Sequence, residues 1–284
     1  MNAQHSAWHN FKRSGYGWTL LSVAIVIFYL FPVYWMVATS FKTDAGVYAS
    51  PPQIVPIPPN FAAYQTAVLN NPLALHSIFN SAVVGTGTML FTLVLAAPAA
   101  YALARLELRI GAFLMLLLLI TQLLPAIVIA TPLFVAFSKI GLLNSYPALI
   151  LADTTFTLPF AVIVLRPFFL TIPRELEAAA KIDGCNQFDA FWRVILPLVR
   201  PGLITVAVFA FLMGWGEFLF ALSLTTNETV QPATAALNKF IGQYGTRWNS
   251  LMAVATTIAL PIIVVFALLQ RYIVSGLTAG SVKE

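Results

Sequence analysis

Between Arg13 and Lys42 the sequence runs for 28 residues without a charged side chain, and no other feature constrains the fold as tightly. A helix needs about 20 apolar residues to cross the roughly 30 Å hydrocarbon core of a bilayer. The apolar region of a secretory signal covers only about 7–15 residues. Ala38-Thr39-Ser40 resembles a cleavage site, but the length favours an uncleaved first span over residues 18–40, with Trp18 and Trp35 near its ends as interfacial aromatics. Further apolar runs follow over 77–103, 111–137, 146–169, from Pro201 to about 224, and 250–270. Hydrophobic residues make up 60% of the 284 and charged residues 9%, against about 25% charged in soluble domains. The expected fold class is an all-α membrane protein with six transmembrane helices.

What lies between the runs sets the topology. Residues 41–76 carry Pro51, Pro52, Pro56, Pro58, Pro59 and Pro72; such a segment cannot sit in lipid, because its backbone groups have no partners there. Its plainest reading is a stiff connector. Eleven Lys and Arg fall on one side of the spans (Lys12, Arg13, Arg105, Arg109, Arg166, Arg174, Lys181, Arg193, Arg200, Arg271, Lys283) and four on the other (Lys42, Lys139, Lys239, Arg247). The positive-inside bias then places both termini in the cytoplasm. The expected order is a cytoplasmic N-terminus (1–17), first span (18–40), extracytoplasmic Pro-rich loop (41–76), five-helix core (77–270) and cytoplasmic tail (271–284). The formal charge of +5 is accounted for by this topology, and no nucleic-acid partner is expected.

One polar island interrupts the core. Residues 174–201, RELEAAAKIDGCNQFDAFWRVILPLVRP, hold eight of the 25 charged residues. Pro173 suits a helix start, Glu175 and Glu177 favour its positive end, and Glu177 and Lys181 are spaced as an i,i+4 pair. Gly184 supplies a left-handed stop. Asn186 can cap a second helix in which Phe188, Phe191, Trp192 and Ile195 recur at i, i+3, i+4, i+7, as one apolar face. Pro197 and Pro201 then redirect the chain.

Glu177-Ala178-Ala179, Asp183-Gly184, Phe191, Ile195, Leu196-Pro197 and Pro201 resemble the EAA loop of permease subunits of bacterial ABC importers, with Cys185 in place of the usual Ala. Asn60-Phe61 with Tyr64, and Asn80-Ser81, are also similar to that family. Gly214-Trp215-Gly216-Glu217-Phe218 resembles the Trp-Asn-Glu-Phe signature of its carbohydrate group, of the maltose-transporter type, with Gly216 replacing Asn. Gly276-Leu277-Thr278-Ala279-Gly280 and Val282-Lys283 look like that group's ending. The resemblance implies a type I ABC importer permease fold with cytoplasmic EAA coupling helices spanning 174–197, in a bacterial inner membrane. It implies ATPase coupling through Glu177, Ala178, Ala179, Asp183, Gly184, Phe188, Phe191 and Pro197. The implied partners are a second homologous permease, two ATP-binding subunits that hold ATP and Mg, and an extracytoplasmic sugar-binding protein.

Ionisable groups inside a bilayer are costly and often functional. Glu217 lies about 24 Å beyond Pro201 if the helix is continuous, in the outer half, beside Trp215 and Phe218; a carboxylate with aromatics suits sugar hydroxyls and ring faces. Glu217, Trp215, Phe218, Asp153 and Gln122 are the candidate substrate path, with interhelical hydrogen bonding as the structural alternative. Gly85-Thr86-Gly87 reads as helix-packing material. Pro125 and Pro132 read as kinks. No Gly-Lys dipeptide occurs, so no P-loop is present and nucleotide falls to another chain. Three His and one Cys form neither a metal cluster nor a disulfide framework, and no Ser/His/Asp grouping or HExxH supports a membrane-embedded enzyme. A secondary transporter driven by an ion gradient is the alternative reading. It would place ionisable relays near the midplane, where only Asp153 and Glu217 offer themselves.

Overall fold

Helix dominates the computed structural model, which describes residues 15–242 and 245–278. The expected N-terminal segment up to residue 14 and the tail beyond residue 278, with Ala279-Gly280 and Val282-Lys283, lie outside the described residues. In chain order the main helices are α1 (Gly15–Ser40), α2 (Pro72–Arg105), α3 (Gly111–Thr121), α4 (Ala126–Lys139), α5 (Tyr146–Thr171), α6 (Arg174–Ile182), α7 (Gln187–Leu198), α8 (Arg200–Gly216), α9 (Leu219–Leu224) and α10 (Trp248–Thr278). Of these, α1, α2, α5 and α10 are long and apolar enough to cross a membrane unbroken. The pairs α3/α4 and α7/α8 are bent by 97° and 80°, and counting each as one crossing gives six.

Two expected spans are not single helices. The run over 111–137 breaks at Gln122-Leu123-Leu124-Pro125, where α3 winds down through tight i→i−3 bonds from Gln122, Leu123 and Leu124. Pro125 is extended (φ −62°, ψ 136°); it has no N–H to continue a helix, and it pushes the residue before it out of the helical region. The fifth run ends at Gly216 rather than continuing to 224. Glu217 turns extended (ψ 129°) and α9 starts afresh at Leu219. Glycine at the last helical position weakens the helix there.

The described chain divides into two compact units. In the first, which runs to Asn71 and includes Phe240–Thr257, none of the most apolar stretch of α1 is buried within the chain. Its Pro-rich loop is more than a connector, because it folds back on the end of α1. Phe41 packs on Phe61 and Tyr64 at 5.3 and 5.1 Å, the Tyr64 hydroxyl meets Ser40 Oγ at 2.8 Å, and Asn60 N–H donates to Phe41 O. Lys42 is buried with its ammonium 4.1 Å from the Trp35 ring centre, and burial lowers its pKa.

The second unit, Pro72–Lys239 with the chain from Ile258, is a bundle in which α2 packs along α5 and α8. Small residues set the spacing. A Cβ on Gly85 would lie 3.1 Å from the Phe211 carbonyl oxygen, and one on Gly214 would lie 3.1 Å from the Gly85 Cα. Backbones can approach this closely only where side chains are absent. One apolar cluster, including Ala100, Tyr101, Leu165, Phe169, Phe191 and Ile195, joins the α2/α5 bundle to α7. Another, including Val84, Leu149, Phe220 and Leu224, fills the opposite half. A buried polar seam also joins α2 and α5: Thr92 and Thr157 share a 2.6 Å hydrogen bond, and Thr88 Oγ1 donates to Asp153 Oδ2 at 3.4 Å.

Candidate functional site

The polar island folds as a helical hairpin at the foot of the bundle. Helix α6 starts after Pro173, which sits just before the helix (ψ 136°) rather than in its first turn. It ends where Gly184 takes φ +90°, a conformation that costs glycine least. Cys185 N–H then bonds back to Ala180 O. Asn186 caps α7 by accepting from Asp189 N–H at 2.8 Å, and Asp189 pairs with Arg193 at 3.5 Å.

Within α7 the expected single apolar face splits in two. A wide turn over Phe191–Ile195, in which Leu196 N–H reaches back five residues to Phe191 O, shifts the helical register. Phe191 and Ile195 turn inward, Phe191 packing on Tyr101 at 4.9 Å. Phe188 (69% exposed) and Trp192 face outward. Ala178, Ala179, Ile182 (87% exposed), Asp183, Gly184 and Pro197 are also at the surface. The hairpin therefore holds itself by one side and presents a partly apolar surface on the other.

Glu177 belongs to the holding side. Its Oε1 accepts from Tyr101 OH at 2.8 Å and Gln187 Nε2 at 2.7 Å, and Lys181 Nζ lies at 3.5 Å. Burial alone raises this carboxyl's pKa, but the bonds from Tyr101 and Gln187 and the Lys181 ammonium outweigh it and hold the pKa below the ordinary value. Arg105 Nε stands 4.0 Å from Oε2 while the same guanidinium donates to Ile172 O, tying the ends of α2 and α5. Sequence reasoning missed Tyr101 and Gln187. The spacing of Tyr101 and Arg105 at i,i+4, facing an acidic helix, is the available signal for the α2 side; Gln187 carries none.

The five expected path residues sit in different local settings. Glu217 is a cap and not a mid-helix carboxylate: its two oxygens accept the N–H groups of Phe220 and Ala221, each at 2.9 Å, at the start of α9. Trp215 is buried with Nε1 donating to Ile258 O at 3.3 Å. Asp153 is buried in the threonine seam. Gln122 is exposed at the α3/α4 break and donates to Phe156 O. Phe218 is exposed at the α8/α9 break.

At the other end of the bundle, Asn80 donates to the carbonyls of Thr229 and Gln231 and accepts from Tyr146 OH at 2.7 Å. Ser81 Oγ accepts from Ala233 N–H, and His76 Nε2 meets Thr229 O at 2.7 Å. Asn144, at φ 57°, uses Oδ1 to accept from Thr226 and Asn227 N–H. The loop after α9 is thus fastened to α2 and to the start of α5. Asn144 carried no sequence signal.

A bundle with broken apolar spans, bearing an anchored polar hairpin with an outward apolar surface, has the build of a multi-pass membrane protein with a docking surface. Residues 93–279 match the family described as "Binding-protein-dependent transport system inner membrane component", and the chain belongs to that family. It is 38% identical over 274 residues to the trehalose transport system permease protein SugB of Mycobacterium tuberculosis, covering 96% of this chain and 98% of the relative. It is 37% identical over 254 residues to the sulfoquinovosyl glycerol transport system permease protein SmoH of Agrobacterium fabrum, covering 89% of each. A crystal structure of a bacterial ABC transporter involved in the import of the acidic polysaccharide alginate aligns with a TM-score of 0.78 over 91% of this chain and 95% of that one. Identity there is 22%, so this likeness is one of fold. The chain has the type I ABC importer permease fold and is a multi-pass membrane permease subunit of a binding-protein-dependent importer. It is a transport component rather than an enzyme, and family membership sets aside the ion-gradient carrier.

Proposed function

We propose that this chain is one of two permease subunits in an ATP-driven sugar importer, with both termini and the hairpin in the cytoplasm. The hairpin is the lever through which a pair of ATPase subunits, holding ATP and Mg, drives the spans between inward- and outward-facing states. A second, homologous permease completes the path, and an extracytoplasmic binding protein delivers substrate. The observation that carries the coupling role is the two-sided hairpin: Ala178, Ala179, Ile182, Phe188 and Trp192 face outward, while Glu177, Phe191 and Ile195 lock it to the bundle. A surface so anchored transmits force rather than deforming. The exposed residues at its turn, Asp183 and Gly184, are the first points of contact for a docking cleft.

A sugar substrate is supported by the relatives named for trehalose and sulfoquinovosyl glycerol transport. The test is uptake by the full assembly in proteoliposomes with ATP inside, against a panel of labelled disaccharides, glycosyl glycerols and amino acids. Saturable, ATP-dependent uptake of a glycoside supports the reading, whereas uptake of amino acids alone overturns it.

A further inference from the structure

Beside the hairpin lies a cavity of about 310 Å³, lined by Arg105, Leu106, Arg174, Glu177, Ala178, Lys181 and Gln187. Its size is at the lower end of the roughly 300–1,000 Å³ of small-ligand sites. Three of the lining residues are cations and one is a carboxylate. Glu177 is already engaged through Oε1 by Tyr101, Gln187 and Lys181. The Arg105 side chain is only 6% exposed, and its Nε is buried without a hydrogen bond, 4.0 Å from Glu177 Oε2 and too far to donate to it. That Nε is closed off from the cavity and Nη2 already donates to Ile172 O, so Nη1 is the arm left for a ligand. Toward solvent, Lys181 and Arg174 keep spare donors, although Arg174 also meets the exposed Glu107 at 3.5 Å. The surplus is therefore positive and graded, with one buried guanidinium arm at the back and flexible cations at the mouth.

The position matters as much as the charge. Arg105 is the last residue of α2, at the level where the membrane span gives way to the polar hairpin. Basic pockets at the cytoplasmic ends of transmembrane helices suit phosphate head groups.

We propose that this cavity binds a phosphate group, held by Arg105, Lys181 and Arg174 against the base of the hairpin. The chemistry is that of a tetrahedral phosphate oxyanion; its source is either an anionic phospholipid head group or a free phosphate. Bound there, it would bridge the end of α2 to α6, the same two elements that Glu177 joins, and so stiffen the hairpin's attachment. This inference rests on the proposed cytoplasmic placement of the hairpin and on the geometry of α2 and α6, and is independent of the transported substrate.

Cys185 is the chain's only cysteine and lies in the hairpin turn, so an environment-sensitive fluorophore on it reports the site without other labels. The full chain is placed in phosphatidylcholine nanodiscs and titrated with inorganic phosphate at constant ionic strength. A parallel series replaces phosphatidylcholine with phosphatidylglycerol. A saturable response to phosphate identifies the free anion, and one to phosphatidylglycerol alone identifies the head group. Lys181→Gln and Arg174→Gln, at exposed positions that leave the fold intact, should each weaken the responding ligand about fivefold, the effect of one cation beside an anionic head group. Arg105→Gln should abolish saturation. No saturable response in either series, or responses unchanged in Lys181→Gln and Arg174→Gln, overturns the proposal.

Discussion

Removing the Glu177 carboxylate should detach the hairpin without unfolding the bundle. Glu177→Ala deletes the acceptor for Tyr101 OH and Gln187 Nε2 at a side chain only 12% exposed. Hydrogen bonds to a charged group contribute about 1.5–3 kcal/mol each, whereas the half-exposed Lys181 pair adds little. Tyr101 and Gln187 also bond one another and recover part of the loss. The net cost to docking is about 2–4 kcal/mol, or roughly 30- to 1,000-fold in the opening equilibrium at about 1.4 kcal/mol per tenfold. Hydrogen exchange reads this directly: amides of α6 and α7 should exchange faster by that factor while mid-helix amides of α2 and α8 do not change. Glu177→Gln keeps an acceptor in the same place and should cost far less.

The pH dependence has a definite sign. A carboxylate whose folded pKa is lowered stabilises docking fully above its ordinary value of about 4.3, and this is lost as pH falls through the lowered folded pKa. Wild-type hairpin protection should therefore fade below about pH 4, and Glu177→Gln should lack that acid step. Unchanged exchange in Glu177→Ala would refute the holding role.

Gly184→Pro forces φ to about −65° where the turn needs +90°, and removes the N–H bonded to Lys181 O; it should abolish uptake, while Gly184→Ala, costing about 1 kcal/mol, should only reduce it. Gly85→Val meets the Phe211 carbonyl oxygen and Trp215 N in the backbone of α8 and should lower the melting point by the cost of overpacking, about 1–3 kcal/mol. Gly87→Ala puts its Cβ into Cδ1 and 2.9 Å from Cγ1 of Ile150, a β-branched side chain stiff about χ1, and should also lower the melting point, by about 1–3 kcal/mol. Asn80→Ala unpairs Tyr146 OH and the carbonyls of Thr229 and Gln231, at about 1–3 kcal/mol, and limited proteolysis between 225 and 232 should accelerate.

Much of this was legible in the sequence because each signal was local. The uncharged runs give the long helices, Gly184 gives the turn, Asn186 gives the cap, and the i,i+4 pair Glu177–Lys181 forms as spaced. Hydropathy cannot see where an apolar run breaks. Leu123-Leu124 and Phe218-Leu219 are as greasy as their neighbours, yet Pro125 and Gly216 end helices there, which moved Gln122 and Glu217 from helix interiors to helix breaks. Nor does a period-3.6 pattern survive a wide turn, so Phe188 and Phe191 parted company. Tertiary partners were least legible. Nothing in the spacing of Glu177 and Tyr101, or of Asn144 and Thr226, announces that they meet.

The outward face of the hairpin is the part on which coupling depends, and Phe188 tests it most directly. With the chain in nanodiscs, the affinity of the purified ATPase subunit is measured for wild type and Phe188→Asp. An exposed aromatic that anchors an interface typically carries 2 kcal/mol or more, so binding should weaken about thirtyfold or more with the melting point unchanged. Equal affinity for the two proteins would contradict the account.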